Sequence, residues 1–150
     1  MEKPTYNLKS SPDGLYHVFE STNGVKSVQK AIAFLPFEES ANLFQLIFGD
    51  LKSDGEIDTF AVSNNKDTTV ILTTVVGTLF YFFEQNPDKS VAFTGSTAAR
   101  TRLYRAVISK FVNESEPFYQ ILGITEEGSF EIFNKNKNYT GYLISLKNEN

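Results

Sequence analysis

Between residues 6 and 62, apolar and polar positions alternate in short runs that are separated by turn signals. Asn23-Gly24 and Asp54-Gly55 are typical of tight hairpin turns, and Pro12 next to Asp13 marks a further turn. Short alternating runs joined in this way predict an antiparallel β-meander. Its predicted strands cover residues 6–8, 15–21, 26–34, 43–49 and 57–62.

The spacing of the apolar residues changes after this meander. From residue 67 to residue 85 the apolar side chains recur at the helical spacing, which predicts a helix in spite of its β-branched residues and Gly77. Asn65 or Asp67 would cap its start, and Asn86-Pro87 would end it. Its apolar part has only about 16 residues and carries several threonines, so a core helix is predicted rather than a membrane span. The predicted buried stripe is Leu72, Val75, Val76, Leu79, Phe82 and Phe83.

The second half of the chain contains one more helix among short strands. A strand over residues 91–94 leads through Gly95 into a helix that ends near Asn113, and three strands follow at residues 118–125, 129–133 and 139–147. We therefore expect a single α+β domain over residues 1–150, with an antiparallel β-meander, two helices flanking a short strand, and a closing β-meander. The predicted buried stripe of the second helix is Tyr104, Val107, Ile108 and Phe111.

Composition narrows the possible functions. The 150 residues are 41% hydrophobic, which is enough for one core, and the absence of cysteine excludes a disulfide framework, a thiolate metal site and a thiol nucleophile. A single histidine excludes a histidine-rich metal site, so no metal and no cofactor are expected. The net charge of −4 disfavours binding to nucleic acid or to a membrane surface. The polar stretch over residues 1–5 is unlike a signal peptide, which predicts a cytoplasmic location.

The start of the second helix is the most distinctive segment. Unpaired N–H groups and the positive end of the helix dipole favour an anion there, and hydroxyl and guanidinium groups cluster beside it. The helical period directs Arg100 into the buried stripe, where it needs an anionic partner, and directs Arg102 and Arg105 towards solvent. The predicted ligand-binding residues are Gly95, Ser96, Thr97, Arg100, Arg102 and Tyr104.

An ordinary structural interpretation of this segment stays open. Ser96 and Thr97 would then simply cap the helix, with a protein carboxylate as the partner of Arg100. The segment lacks the Gly-Lys-Ser/Thr of a phosphate-binding P-loop and the three glycines of a dinucleotide fingerprint.

Two other groups of residues have simpler explanations than catalysis. The carboxylates of Asp50, Asp54, Glu56 and Asp58 could hold a cation, but their pattern is also that of a turn and the solvent face of a strand. His17 lies between aromatic residues, and the sequence places no nucleophile or orienting group beside it.

Several segments together resemble an uncharacterised family of stand-alone bacterial proteins of about 150 residues, mainly from Bacteroidota. The similar segments are Phe48-Gly49-Asp50, Asn64-Asn65 with Asp67, and the run from Gly95-Ser96-Thr97 to Arg102-Leu103-Tyr104, which is the most specific of them. The resemblance implies a single domain and a bacterial origin, and it implies no activity. This chain carries an apolar run, residues 69–72, where the family prefers a more charged first helix.

Three hypotheses for the function follow. The favoured one is a non-enzymatic module that binds a protein partner or a phosphate-bearing small ligand at the start of the second helix, because the usual catalytic constellations are not visible. The second is a small enzyme acting on RNA or nucleotides, such as a toxin-like nuclease or transferase, with Arg100 stabilising negative charge and Asp67 or His17 as acid or base. The third is a structural homo-oligomer.

Overall fold

The computed structural model of this protein describes residues 5–59, 67–94, 97–115 and 118–147, and it confirms the α+β class. The elements are β1 (Lys9–Ser10), β2 (Tyr16–Thr22), β3 (Ser27–Phe37), β4 (Ser40–Leu51), β5 (Ile57–Asp58), α1 (Thr68–Gln85), β6 (Ser90–Thr94), α2 (Ala98–Ser115), β7 (Tyr119–Ile124), β8 (Phe130–Ile132) and β9 (Gly141–Leu146). None of the helices in these ranges is long and apolar enough to cross a membrane.

All of these strands belong to one sheet. Their order is β1-β2-β3-β4-β6-β9-β7-β8, and β5 pairs with the end of β4. Every pair is antiparallel except β4 with β6, which run parallel because α1 connects them as a crossover. The two predicted groups of strands are therefore continuous, with the parallel pair joining them.

Both helices pack on the same face of this sheet. Phe82 of α1 stacks on Phe34 of β3 with 4.7 Å between ring centroids, and Tyr104 of α2 meets Phe93 of β6 edge-on at 5.0 Å. The strand registers place Phe34 and Phe93 on the same side of the sheet. Phe80 and Phe111 stack at 4.8 Å and join the helices to each other. These buried aromatic residues belong to one core between the sheet and the helices.

The predicted buried stripes of the two helices are confirmed. Five of the six predicted α1 residues are almost fully buried, Leu72 is partly buried, and all four predicted α2 residues are buried. Asn86 ends α1 as predicted, with its backbone N–H donating to the carbonyl of Phe82 at 2.8 Å. Asp67 occupies the N-cap position of α1, but its side chain makes no capping bond.

Two predicted strands at the beginning of the chain have different bounds. The first strand is Lys9–Ser10 rather than residues 6–8, because Tyr6 bonds to α1 instead: its N–H donates to Thr74 Oγ1 at 2.9 Å. The strand predicted at residues 57–62 appears as Ile57–Asp58, and its residues 60–62 lie outside the described part of the chain.

The closing strands do not form the meander predicted from their order. β9 lies between β6 and β7, and β8 pairs with β7 at the edge of the sheet. Packing explains this arrangement. Tyr142 and Ile144 of β9 are buried on the helix side and Leu143 is half-buried on the other side, whereas β8 exposes Phe130 and Ile132.

Candidate functional site

The predicted ligand-binding residues lie at one edge of the sheet. β4 and β6 run parallel, and α1 and α2 both begin beyond the ends of these strands. In sheets with parallel strands, this carboxyl edge is where loops and helix N-termini combine into ligand sites. Thr97, Arg100, Arg102 and Tyr104 lie here at the start of α2, while Gly95 and Ser96 lie outside the described residues.

Thr97 acts as the cap of α2. Its hydroxyl oxygen accepts a hydrogen bond from the Arg100 N–H at 3.1 Å, and its carbonyl accepts both from the N–H of Thr101 and from the Thr101 hydroxyl at 2.9 Å. A threonine side chain that accepts from the third residue of the helix satisfies one of the free N–H groups there. The geometry agrees with the structural interpretation of Thr97.

Arg100 is buried, as its position in the helical period predicted. Its side chain packs against β4, and only 7% of the residue is exposed. The Nε–H donates to the carbonyl of Thr59 at 3.0 Å, and the guanidinium lies 5.1 Å from the ring centre of Phe48. Arg100 therefore links the start of α2 to the chain that follows β5, and to an aromatic ring of β4.

Tyr104 and Arg102 differ in their exposure to solvent. Tyr104 is buried beside Arg100, and burial raises its pKa to about 12, against the opposing effects of the Arg100 charge and of a hydrogen bond with the Phe48 backbone. Its phenol is consequently uncharged at neutral pH. Arg102 is exposed, as predicted. Arg105 was expected to be solvated as well, but it is half-buried because its guanidinium donates to the carbonyls of Lys135 and Lys137.

A buried ion pair completes this corner of the molecule, and the sequence analysis did not find it. Lys30 is 3% exposed, and its Nζ lies 2.5 Å from the carboxylate of Asp50, its direct cross-strand neighbour. The Lys30 ammonium is also 5.9 Å from the Phe48 ring centre. A usable signal was present, because Lys30 shares the parity of the apolar residues Ile32 and Phe34 in the predicted strand over residues 26–34.

Asp67 holds the N-terminal segment to the same corner. Its carboxylate accepts hydrogen bonds from the Tyr6 hydroxyl and, at 2.5 Å, from the hydroxyl of Ser21 on β2. Tyr6 also stacks on Phe19 at 5.3 Å, and burial together with the bond to Asp67 raises its pKa. We call Lys30, Asp50, Asp67 and Arg100 the polar corner. Lys30 and Asp50 pair with each other, Asp67 accepts hydrogen bonds from Tyr6 and Ser21, and Arg100 donates to a backbone carbonyl.

The remaining predicted carboxylates do not form a cation site in the described part of the chain. Asp54 and Glu56 lie in the exposed turn before β5, each 3.8 Å from the ammonium of Lys52. Asp58 pairs with Asp50 across the two strands. Gly49 allows β5 to approach this closely, since a Cβ at that position would be 2.2 Å from the carbonyl oxygen of Asp58. No group of three potential metal ligands occurs in the ranges that the structure describes.

His17 has a partner that the sequence could not place. Its Nδ1 lies 2.7 Å from the hydroxyl oxygen of Ser10 on β1. The imidazole packs edge-on against the rings of Phe34 and Tyr81, and its Nε2 has no hydrogen-bond partner among the described residues. The side chain is 2% exposed, and burial lowers its pKa, so the ring is neutral. The histidine of a catalytic triad is oriented by a hydrogen bond to a carboxylate, and no carboxylate bonds to the His17 ring among the described residues.

The face of the sheet that the helices leave uncovered carries an apolar surface at its far edge. The strand registers place Leu122 beside both Ile132 and Leu143, and Ile124 beside Phe130. Ile132 is 77% exposed and Phe130 is 59% exposed, while the other three are half-buried. We call these five residues the outer apolar patch. Phe118, just before β7, is a further exposed aromatic residue.

Two clefts lie beside the start of β7, and Gln120 and Lys147 line both of them. One, of about 260 Å³, lies between α2 and β7 and is lined mainly by apolar residues, among them Val112, Tyr119 and Ile121. The other, of about 530 Å³, is polar and lies between the start of β6 and the end of β9, with Lys89 and Lys147 among its lining residues. Neither cleft is lined by Arg100 or His17.

These features define a class of protein: an α+β domain with one open, mostly antiparallel sheet, both helices on one face, and a buried charged corner at the carboxyl edge of its parallel strands. The chain belongs to a family of unknown function, DUF6934, whose model matches residues 2–147. No curated protein and no solved structure matches the chain.

Proposed function

We propose that this protein is a non-enzymatic module that binds a protein partner through the outer apolar patch. The observation that carries the proposal is the exposure of Ile132 and Phe130, at 77% and 59%, on neighbouring positions of one sheet face. Single exposed apolar residues are common, but adjacent large ones on a flat sheet face are typical of protein interaction sites.

The state of the polar residues supports a binding role over an enzymatic one. The enzyme hypothesis relied on Arg100, with His17 or Asp67 as acid or base. Arg100 bonds to the carbonyl of Thr59, His17 is enclosed by aromatic rings beside Ser10, and Asp67 accepts bonds from Tyr6 and Ser21. Each group therefore has a role in holding the fold.

The test is affinity capture from a lysate of the source organism with a matched pair of variants. Ile132→Lys places a charge in the patch, whereas Val25→Lys places one on a turn away from the patch, where Val25 is 96% exposed. We expect proteins retained by the wild type to be retained by Val25→Lys and lost with Ile132→Lys. Equal retention by all three proteins would refute the proposal.

A second candidate function is recognition of a phosphate-bearing small ligand at the start of α2. It is favoured by the exposed Arg102 in the first turns of a helix that begins at the carboxyl edge of the parallel strands. A phosphate compound at a hundred times its dissociation constant would then add about 2.7 kcal/mol to the free energy of unfolding. Arg102→Ala should abolish that increase without lowering the melting temperature of the free protein. If no phosphate compound raises the melting temperature, this candidate is excluded.

The proposal includes a bacterial origin and a cytoplasmic location. The lack of cysteine in the chain is compatible with a reducing compartment. Cell fractionation followed by detection of the untagged protein would test the location.

A further inference from the structure

We propose that two copies of this chain pair through β8, the edge strand of the sheet, around a two-fold axis that passes beside Glu131. The inference rests on the proposed function, because it names a second copy of the chain as the partner of the outer apolar patch. Three independent features of the β8 edge carry it: its backbone, its apolar side chains and its charges.

The backbone of β8 has hydrogen-bonding groups directed away from the sheet. In the β7–β8 ladder, the Phe133 N–H donates to the carbonyl of Ile121 at 3.0 Å and the Thr125 N–H donates to that of Ser129 at 2.9 Å. Hydrogen-bonded pairs alternate along an antiparallel ladder, so Glu131 bonds to β7 and the groups of Phe130 and Ile132 point outwards. In the described ranges, no strand pairs with this outer edge of β8.

A second β8 fits this edge in antiparallel orientation. With Glu131 opposite its own equivalent, Phe130 of one copy faces Ile132 of the other, and these are the residues with outward N–H and carbonyl groups. Each such pair exchanges two hydrogen bonds, as a hydrogen-bonded antiparallel pair does. The apolar patches of the two copies then lie next to each other on one continuous face, and aromatic residues pair favourably with β-branched ones across strands.

The charges at the two ends of β8 are complementary in this arrangement. The turn before β8 exposes Glu126 and Glu127, and the loop after it exposes Lys135 and Lys137. Antiparallel pairing brings the acidic turn of each copy beside the basic loop of the other. A two-fold interface is self-complementary in this way, so each favourable pairing occurs twice.

The unfavourable approach of the two Glu131 side chains is offset within each copy. The Lys137 ammonium lies 2.9 Å from the Glu131 carboxylate, and the Tyr139 hydroxyl donates to it at 2.9 Å. These bonds, that of Lys137 first, lower the pKa of Glu131.

Cysteine cross-linking tests the register directly, because the chain contains no cysteine. The Glu131 pair would be a non-hydrogen-bonded pair with Cα atoms about 4.5 Å apart, a separation that a disulfide can bridge. We expect Glu131→Cys to oxidise to a covalent dimer and light scattering to give a dimer mass for the wild type. The control is Ser53→Cys, in the exposed turn before β5, which should stay monomeric on the same timescale.

Charge reversal tests the antiparallel orientation of the two β8 strands. Glu126→Lys combined with Glu127→Lys places like charges side by side and should raise the dimer dissociation constant by about tenfold at low salt. A wild type that is monomeric at about 100 µM, or a Glu131→Cys variant that cross-links no faster than Ser53→Cys, would overturn the dimer. The proposed function would survive that result if Ile132→Lys still abolished the capture of another protein.

Discussion

The polar corner and the outer apolar patch are opposite exceptions to the usual distribution of residues. In the corner, Lys30 and Arg100 are buried, at 3% and 7% exposure, whereas in the patch Ile132 and Phe130 are open to solvent. The buried charges are bonded within the chain, to Asp50 and to the carbonyl of Thr59. The exposed apolar residues have no covering element among the described residues. The partners within the chain indicate a structural role for the corner, and the exposure of the patch is the basis of the proposal that it binds a partner.

The comparison teaches that unusual residue types are by themselves a poor guide to function. The arginines at the start of α2 are unusual in the sequence and predicted a ligand site. In the structure, Arg100 and its neighbour Tyr104 both pack on β4 around Phe48. Ile132 and Phe130 look like ordinary strand residues in the sequence. In the structure they are the most exposed large apolar residues of the described strands. What distinguishes the two regions is whether each group has a partner in the same chain.

The largest effect should come from breaking the ion pair of the corner. Asp50→Ala leaves the Lys30 ammonium buried without its carboxylate, which typically costs about 3–5 kcal/mol of the free energy of unfolding. Lys30→Met should cost less, because the Asp50 side chain is 20% exposed, against 4% for Lys30, and can be hydrated. Urea unfolding of both variants measures the difference. Equal losses would show that the pair is not effectively buried.

A smaller effect is expected from Tyr104 at alkaline pH. Burial raises its pKa to about 12 in the folded chain, against about 10 when unfolded. Between these values the unfolded chain loses the proton and the folded chain keeps it, so the free energy of unfolding falls as pH rises, by about 2–3 kcal/mol in all. Below pH 10 this contribution is fully present. Circular dichroism melts from pH 8 to pH 12 would measure it.

Tyr104→Phe is the matched control for that experiment. It keeps the ring against Phe93, whose centroid is 5.0 Å away, and removes the titrating hydroxyl. The difference between the two pH profiles isolates Tyr104 from the other tyrosines with raised pKa values. If the wild type and Tyr104→Phe lost stability in parallel as the pH rose, the loss could not be attributed to Tyr104.

The smallest effect on stability is expected in the patch. Ile132→Lys and Val25→Lys replace exposed side chains, so each should change the free energy of unfolding of dilute protein by no more than about 0.5 kcal/mol. Only Ile132→Lys should change binding. A loss of several kcal/mol in Ile132→Lys, seen in urea unfolding, would mean that Ile132 is a structural residue, and the contrast between corner and patch would then disappear.

Much of the fold was predictable because it depends on local periodicity. The stripe of α1 from Val75 to Phe83 and the stripe of α2 from Tyr104 to Phe111 follow the helical spacing, and both are buried as predicted. The burial of Arg100 followed from the same spacing. The pairing of strands distant in the chain was not predictable in this way: β9 lies between β6 and β7, and the alternation in either strand is equally compatible with other neighbours.

The candidate sites, like the fold, were predictable only where they depend on local periodicity. The chain's own pattern indicated that Arg100 would be buried and need a partner, and it identified the start of α2 as distinctive. It could not identify Thr59 as the acceptor of the Arg100 bond, place Ser10 against His17, or pair Lys30 with Asp50. Those partners come from other segments of the chain.

The sequence by itself determined the α+β class, the two helices and their buried faces. These depend on hydrophobic periodicity, which is visible within each short segment of the chain. The tertiary structure alone decided which charges are paired and which apolar residues stay open. Asp50 and Lys30 are 20 positions apart, and Asp67 and Tyr6 are 61 positions apart. Contacts over such separations depend on the register and order of strands, and a change of one position along a strand would move every side chain to the other face of the sheet.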